Sequence, residues 1–238
     1  MRLSVPNVLH AVRHPWRATR YLLYRDRIPY RRIRRYLPKD PVIVEAGAHN
    51  GSNTAEMADF WPGSTIHAFE PVPSAVAAVR AKAAKYGSRV QCHQLALGGQ
   101  DAAMEMHVSG DGSVGCCQSS SLLPPTKAHS REFPFIRHGM TVEVNVRRLD
   151  SWALECGVAK VDFMWLDMEG YELEALSGAS HLLPQVSAIH MEVCNVLLYD
   201  GAPLYTEVKR TMDGLGFVPV VEAFFRVCGN VLFVRRHR

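Results

Sequence analysis

From Pro41 onward the chain alternates short apolar runs with amphipathic stretches, and few folds accommodate that alternation. The apolar runs are VIVEAG (42–47), TIHAFE (65–70), RVQCHQLAL (89–97), VDFMWLD (161–167) and VSAIHMEV (186–193), with helical stretches at 53–60, 74–86 and 172–183. Runs this continuously apolar are strands buried on both faces, and parallel strands need crossover helices to join them. The pattern therefore predicts an α/β chain with a mostly parallel, Rossmann-like sheet. A helix at 204–215 and two closing strands, FVPVVEA (217–223) and NVLFVRR (230–236), predict a terminal antiparallel hairpin and bring the sheet to seven strands. Between the third and fourth strands, residues 100–149 read as an insertion, with hairpin strands at AMEMHV and TVEVNVRRL around Gly- and Pro-rich punctuation.

Residues 41–238 are expected to form one globular domain, since 47% of the 238 residues are hydrophobic. No uncharged apolar run is long enough to span a membrane. Arginines 13, 17 and 20 interrupt what would be the core of a secretory signal. Residues 1–39 hold eleven Arg or Lys against Asp26 alone, a local +10 that leaves the rest at −6 out of a net +4. This basic segment (1–40) interleaves its arginines with apolar residues, as amphipathic helices broken at Pro15 and Pro29 would. It suits a structural cover first, an anionic membrane surface second and nucleic acid last. The six cysteines lack metal-ligand or CxxC spacing and fit a reducing cytosol as incidental thiols. The expected location is the cytoplasm, with peripheral contact at the inner membrane face.

The first strand runs into Glu45-Ala46-Gly47-Ala48-His49-Asn50-Gly51 and then a helix. Gly47 and Gly51 thus fall at the strand-to-helix turn, where a nucleoside ligand approaches the backbone. Their spacing is G-x-x-x-G and departs from the G-x-G-x-x-G that seats a pyrophosphate, which disfavours a dinucleotide. Glu70 ends the second strand, where a carboxylate accepts hydrogen bonds from both ribose hydroxyls. Glu45 lies inside an apolar strand and needs a polar or cationic partner there. An adenine would lie near the end of the third strand, beside His93, Ala96 and Leu97.

Asp167 ends the fourth strand, Glu169 follows it, and His190 and Glu192 lie near the end of the fifth, so all gather at the carboxyl edge of the sheet beside the nucleoside. Asp167, Glu169 or His190 could serve as a base toward a substrate hydroxyl. His190 also fits as a satisfied core histidine, and Glu169 as an acid favoured by the following helix N-terminus. If a divalent metal such as Mg²⁺ takes part, Asp167, Glu169 and Glu192 are its expected ligands; the metal-free reading is the preferred one.

Three motifs carry a family resemblance. VEAGAHNG (44–51), AFEPVP (68–73) and LDMEGYELEALSGA (166–179), with the approach RRLDSWALECGVAKVDF (147–163), resemble the FkbM family of S-adenosylmethionine-dependent methyltransferases. The resemblance implies the class I methyltransferase fold and O-methylation of a hydroxylated small molecule, commonly a sugar, glycoconjugate or secondary metabolite. It implies S-adenosylmethionine held by Glu45, Gly47, Gly51 and Glu70, with the neighbouring motif positions Ala48, Asn50, Pro71 and Asp167, and Asp167 and Glu169 near the acceptor; Ala96, at the end of the third strand, completes the expected cofactor contacts. Glu45 would then face the amino group of the methionine moiety. The chain departs from the family at His49 and Asn50, where Asn and an apolar residue are more common, and at Trp165, where a Lys is common. The competing readings are a nucleotide-dependent oxidoreductase or epimerase, and a non-catalytic membrane- or nucleic-acid-binding module on the same fold.

Overall fold

The computed structural model describes residues 28–115 and 117–236. The amphipathic helices expected over the first 27 residues, and Cys116, lie outside the described residues. A one-turn helix α1 (Tyr30–Ile33) leads into the sheet. Then come β1 (Val42–Ala46), α2 (Ser52–Phe60), β2 (Thr65–Phe69), α3 (Pro73–Ala83) and β3 (Val90–His93). After an excursion come α5 (Leu149–Cys156), β7 (Phe163–Leu166), α6 (Glu172–Ser177), β8 (Ala188–Cys194), α7 (Tyr205–Gly214), β9 (Phe217–Phe225) and β10 (Cys228–Arg235).

The seven strands order as β3-β2-β1-β7-β8-β10-β9, with β10 antiparallel to both β8 and β9. The order reverses between β1 and β7, so the carboxyl ends of those two strands open a crevice at the switch point. β1 pairs with both neighbours in parallel, Glu45 lying beside Ala68 on one side and Trp165 on the other. One face packs α5, α6 and α7 through Trp152, Leu176 and Met212. The other packs α1 and α2 through Ile33, Met57 and Trp61. Central strands buried on both faces explain the unbroken apolar runs in the sequence.

The insertion forms its own sheet. β5 (Ala102–Ser109) and β6 (His138–Arg147) pair antiparallel, and β4 (Ala96–Leu97) joins β6 in parallel. The expected third strand at 89–97 is therefore split: Val90–His93 stays in the main sheet and Ala96–Leu97 leaves it. The helix expected at 172–183 also ends early, at Ser177. Gly178 follows, and a Cβ there would sit 2.1 Å from the Gly98 carbonyl oxygen. Two helices have no counterpart in the sequence pattern, α4 (Lys127–Glu132) in the insertion and α5 after it.

The cysteines differ from the expectation of free thiols: Cys194 and Cys228 form a disulfide. They stand directly opposite in the β8–β10 register, a proximity that sequence spacing does not reveal. Cys92 and Cys156 are free thiols. Among the described residues no helix is long and apolar enough to cross a membrane.

Candidate active site

A cavity of about 300 Å³ opens at the switch point. It is floored by Gly47, Ala48 and Asn50 after β1, walled by Glu70, Pro71 and Ala96, and closed on the far side by Asp167 and Glu169. The insertion roofs it with Met106, Gln118, Ser120 and Leu122.

The turn after β1 is built for close approach. Gly47 has φ +82°, and a Cβ there would lie 1.8 Å from the Asp167 carbonyl oxygen, so only glycine lets β1 and β7 end side by side. The N–H groups of Gly47 and Ala48 both donate to the Phe69 carbonyl, at 3.1 and 3.0 Å. His49 takes a left-handed conformation, φ 48°, and its N–H donates to Glu70 Oε2 at 2.7 Å. The Val72 N–H holds the other oxygen, Oε1, at 2.9 Å. Glu70 is thus fixed by two backbone donors at the end of β2, with its remaining lone pairs available to a ligand. Burial raises it to about 7 against the pull of those two N–H groups.

Glu45 lies beneath this turn, fully buried. The Thr54 hydroxyl donates to its Oε2 at 2.5 Å, whereas Oε1 has no partner. Burial, helped by the nearby Asp167 and Glu70 charges, lifts it to about 8. A buried acceptor oxygen left over in this way matches a ligand that brings a donor. That orphaned oxygen and the glycine cradle fit S-adenosylmethionine, and Glu45 and Glu70 are the carboxylates that would hold it. Thr54, which no sequence motif singles out, sits in the first turns of α2 where its hydroxyl reaches back under the strand.

The acidic side comes from the loop after β7. One carboxylate oxygen from each of Asp167, Glu169 and Glu192 lies within 4.8 Å of the others. Glu192 and Glu169 together line a small second cavity with Tyr199. Glu169 adopts φ 54°, a left-handed backbone that a residue with a Cβ rarely takes. Burial, and after it the Asp167 charge, push its carboxyl well above the ordinary range, against hydrogen bonds from Tyr199 and Ser119. Glu172 serves the loop itself. Its Oε1 accepts from the Met168 and Gly170 N–H groups, at 2.8 and 3.3 Å, and so closes the turn between them.

Of the positions singled out in the sequence, Gly47, Ala48, Asn50, Glu70, Pro71, Ala96, Asp167 and Glu169 line the main cavity. Gly51 caps α2 from a left-handed conformation, and Glu45 lies below the turn. His190 stands apart. Its ring is 1% exposed and stacks on Trp165 with centroids 3.6 Å apart, so it packs within the sheet rather than at the cavity.

A model of the Methyltransferase FkbM domain matches residues 45–219. The chain belongs to the FkbM methyltransferase family. It is 29% identical over 195 residues to "2-O-methyltransferase NoeI" of Sinorhizobium fredii, covering 81% of this chain and 79% of that protein. It is 26% identical over 201 residues to "31-O-demethyl-FK506 methyltransferase FkbM" of Streptomyces tacrolimicus, covering 76% and 74%. A Methanococcus jannaschii fibrillarin pre-rRNA processing protein shares the fold alone, at a TM-score of 0.50 and 14% identity, over 85% of this chain and 70% of that one. This FkbM-family chain is an S-adenosylmethionine-dependent methyltransferase with a Rossmann-like sheet.

Proposed function

We propose that this methyltransferase transfers the methyl group to oxygen, on a hydroxyl of a sugar, glycoconjugate or hydroxylated secondary metabolite. The names of two relatives, a 2-O-methyltransferase and a 31-O-demethyl-FK506 methyltransferase, support an oxygen acceptor. The observation that carries the reading is Glu169, a carboxylate of raised proton affinity at the wall of the cofactor cavity. An alcohol is a weak nucleophile until its proton is taken, and a carboxylate with proton affinity near neutrality suits that role.

Bound S-adenosylmethionine supplies an electrophilic methyl on a sulfonium whose sulfur keeps the bonding electron pair as the O–CH₃ bond forms. The chain's own residues do the rest. Glu45 would hold the ammonium group and Glu70 the ribose hydroxyls, and the insertion's Met106 and Leu122 shield the cavity from water. Glu169 accepts the hydroxyl proton. Asp167, two residues before it after the same strand, raises the proton affinity of Glu169 by its nearby charge. His190, stacked within the sheet, is assigned no proton transfer. Alignment of the acceptor, more than covalent chemistry, carries such a displacement.

The competing reading is a Mg²⁺ held among Asp167, Glu169 and Glu192 that lowers the hydroxyl's pKa. Their 4.8 Å spacing favours it, but Glu169 already accepts hydrogen bonds from Tyr199 and Ser119, which favours direct proton removal. The test is a panel of methyl glycosides and polyols, incubated with labelled S-adenosylmethionine, with and without a chelator. Methyl ethers formed equally in both arms support the assignment. Methylation at nitrogen or carbon overturns the oxygen acceptor, and loss of activity with the chelator overturns metal-free proton removal.

For location, the exposed Arg31, Arg32, Arg34, Arg35 and Lys39 support a peripheral, cytoplasmic-face contact with anionic lipid. Co-sedimentation with phosphatidylserine vesicles that declines with salt is the expected result. Equal binding to neutral vesicles overturns it.

A further inference from the structure

We infer that Tyr199 is a positioning residue for the methyl transfer: its hydroxyl holds the Glu169 carboxyl in register with the acceptor both before and after it takes the proton. The inference rests on the reading of Glu169 as the base.

Tyr199 lies on the loop after β8 and is 2% exposed. Its hydroxyl donates to the Ser119 carbonyl at 3.0 Å and also hydrogen-bonds the Glu169 carboxyl. A phenol has one proton and free lone pairs. Beside an ionised Glu169 it can turn that proton to the carboxylate. Beside a protonated Glu169 it accepts a hydrogen bond from the new O–H and donates its own to the Ser119 carbonyl. Both states of the base are satisfied without moving a side chain, which a group that gains and loses a proton in each catalytic cycle requires.

The surroundings keep Tyr199 in that place. The Thr126 N–H donates to the Leu198 carbonyl at 2.8 Å, and the Asp200 N–H to the Pro124 carbonyl at 2.8 Å, so the insertion grips the loop on both sides of Tyr199. Pro125 and Tyr199 pair as an antiparallel bridge. The insertion grips Glu169 too, through the Ser121 hydroxyl, which donates to the Glu169 carbonyl at 2.8 Å. The left-handed φ of Glu169 is the conformation such a clamp has to maintain, because unsupported it would relax. The insertion and the loop after β8 thus converge on Glu169: Tyr199 and Ser119 reach its carboxyl, and Ser121 its backbone carbonyl.

The experiment is a double-mutant cycle with Tyr199→Phe and Glu169→Gln in the full chain, read by steady-state kinetics on the methyl glycoside turned over fastest and by S-adenosylhomocysteine titration. Tyr199→Phe is expected to lower kcat ~10–100-fold, with acceptor KM and S-adenosylhomocysteine affinity within about threefold, and to add little further loss in the Glu169→Gln background. Unchanged kcat, an additive loss, or a proportional loss of nucleoside affinity overturns the proposal. If Glu169→Gln itself keeps wild-type kcat, the base reading falls first and separately. Where Tyr199→Phe melts early, 3-fluorotyrosine at position 199 preserves the shape and strengthens the donor. A kcat lowered ~2–5-fold at an unchanged melting temperature then supports the proposal, and an unchanged kcat overturns it.

Discussion

His49 donates its N–H to Glu70 Oε2 at 2.7 Å from a left-handed backbone, tying the turn after β1 to the end of β2. That bond fixes the Glu70 carboxylate at the cavity wall before any ligand arrives. Replacing Glu70 by Ala removes the acceptor for the ribose hydroxyls and frees the His49 and Val72 N–H groups. S-adenosylhomocysteine affinity is expected to fall at least ~30-fold, and wild-type affinity in calorimetry would refute the assignment.

Asp167→Ala and Glu169→Gln are expected to separate binding from chemistry. Both should leave S-adenosylhomocysteine affinity within about threefold while lowering kcat ~10²-fold or more, in line with the loss of a general base or of the charge that tunes it. Parallel losses of affinity and turnover would place these residues in cofactor binding alone.

Gly47→Ala tests the cradle. Its Cβ would lie 1.8 Å from the Asp167 carbonyl, and the positive φ adds backbone strain. The variant is expected to lose nucleoside binding altogether and several degrees of melting temperature, whereas Gly87→Ala, with a positive φ but nothing within 4 Å, should lose stability only. Measured nucleoside binding by Gly47→Ala would show that β1 and β7 can part.

The buried acids make stability depend on pH. Burial raises Glu45 to about 8 and Glu70 and Glu172 to about 7, above their unfolded value of 4.5. The folded chain therefore holds protons more tightly than the unfolded one. Their favourable contribution is complete below about pH 4.5 and is lost as pH rises through 7 to 8. The ligand-free melting temperature should fall between pH 6 and pH 8.5, and a flat or rising curve over that interval would contradict these environments.

The Cys194–Cys228 bond closes a 34-residue separation. Reduction by a dithiol should lower the melting temperature of the wild type and leave Cys194→Ser unaffected, the chain-entropy effect of such a loop being roughly 3–4 kcal/mol. Equal melting of the two proteins under both conditions would mean the bond is not formed in solution.

The sequence showed the sheet wherever strands are buried on both faces, since β1, β2, β7 and β8 carry near-continuous apolar runs. It showed the cofactor turn because glycines and carboxylates are spaced along a single β-α-β path. It failed at Ala96–Leu97, whose apolar pair reads as more of β3 until the partner strand β6 claims it from fifty residues away. Tyr199 and Thr54 escaped notice for a related reason: each acts by reaching across to another segment, and neither lies in a patterned motif. The histidine expected at the acidic edge illustrates the converse. Strand alternation puts His190 on the same face as Trp165, and the flat stack between them uses the imidazole as packing.

The His49 ring carries a further consequence. Its Nε2 lies 2.7 Å from the Val114 carbonyl, and the Ser74 hydroxyl at the start of α3 reaches the Gly112 carbonyl at 2.5 Å, so residues 112–114 are latched both to the turn after β1 and to the helix after β2. The insertion that roofs the cavity is therefore anchored to both strand ends that flank it, by two hydrogen bonds that belong to the protein alone.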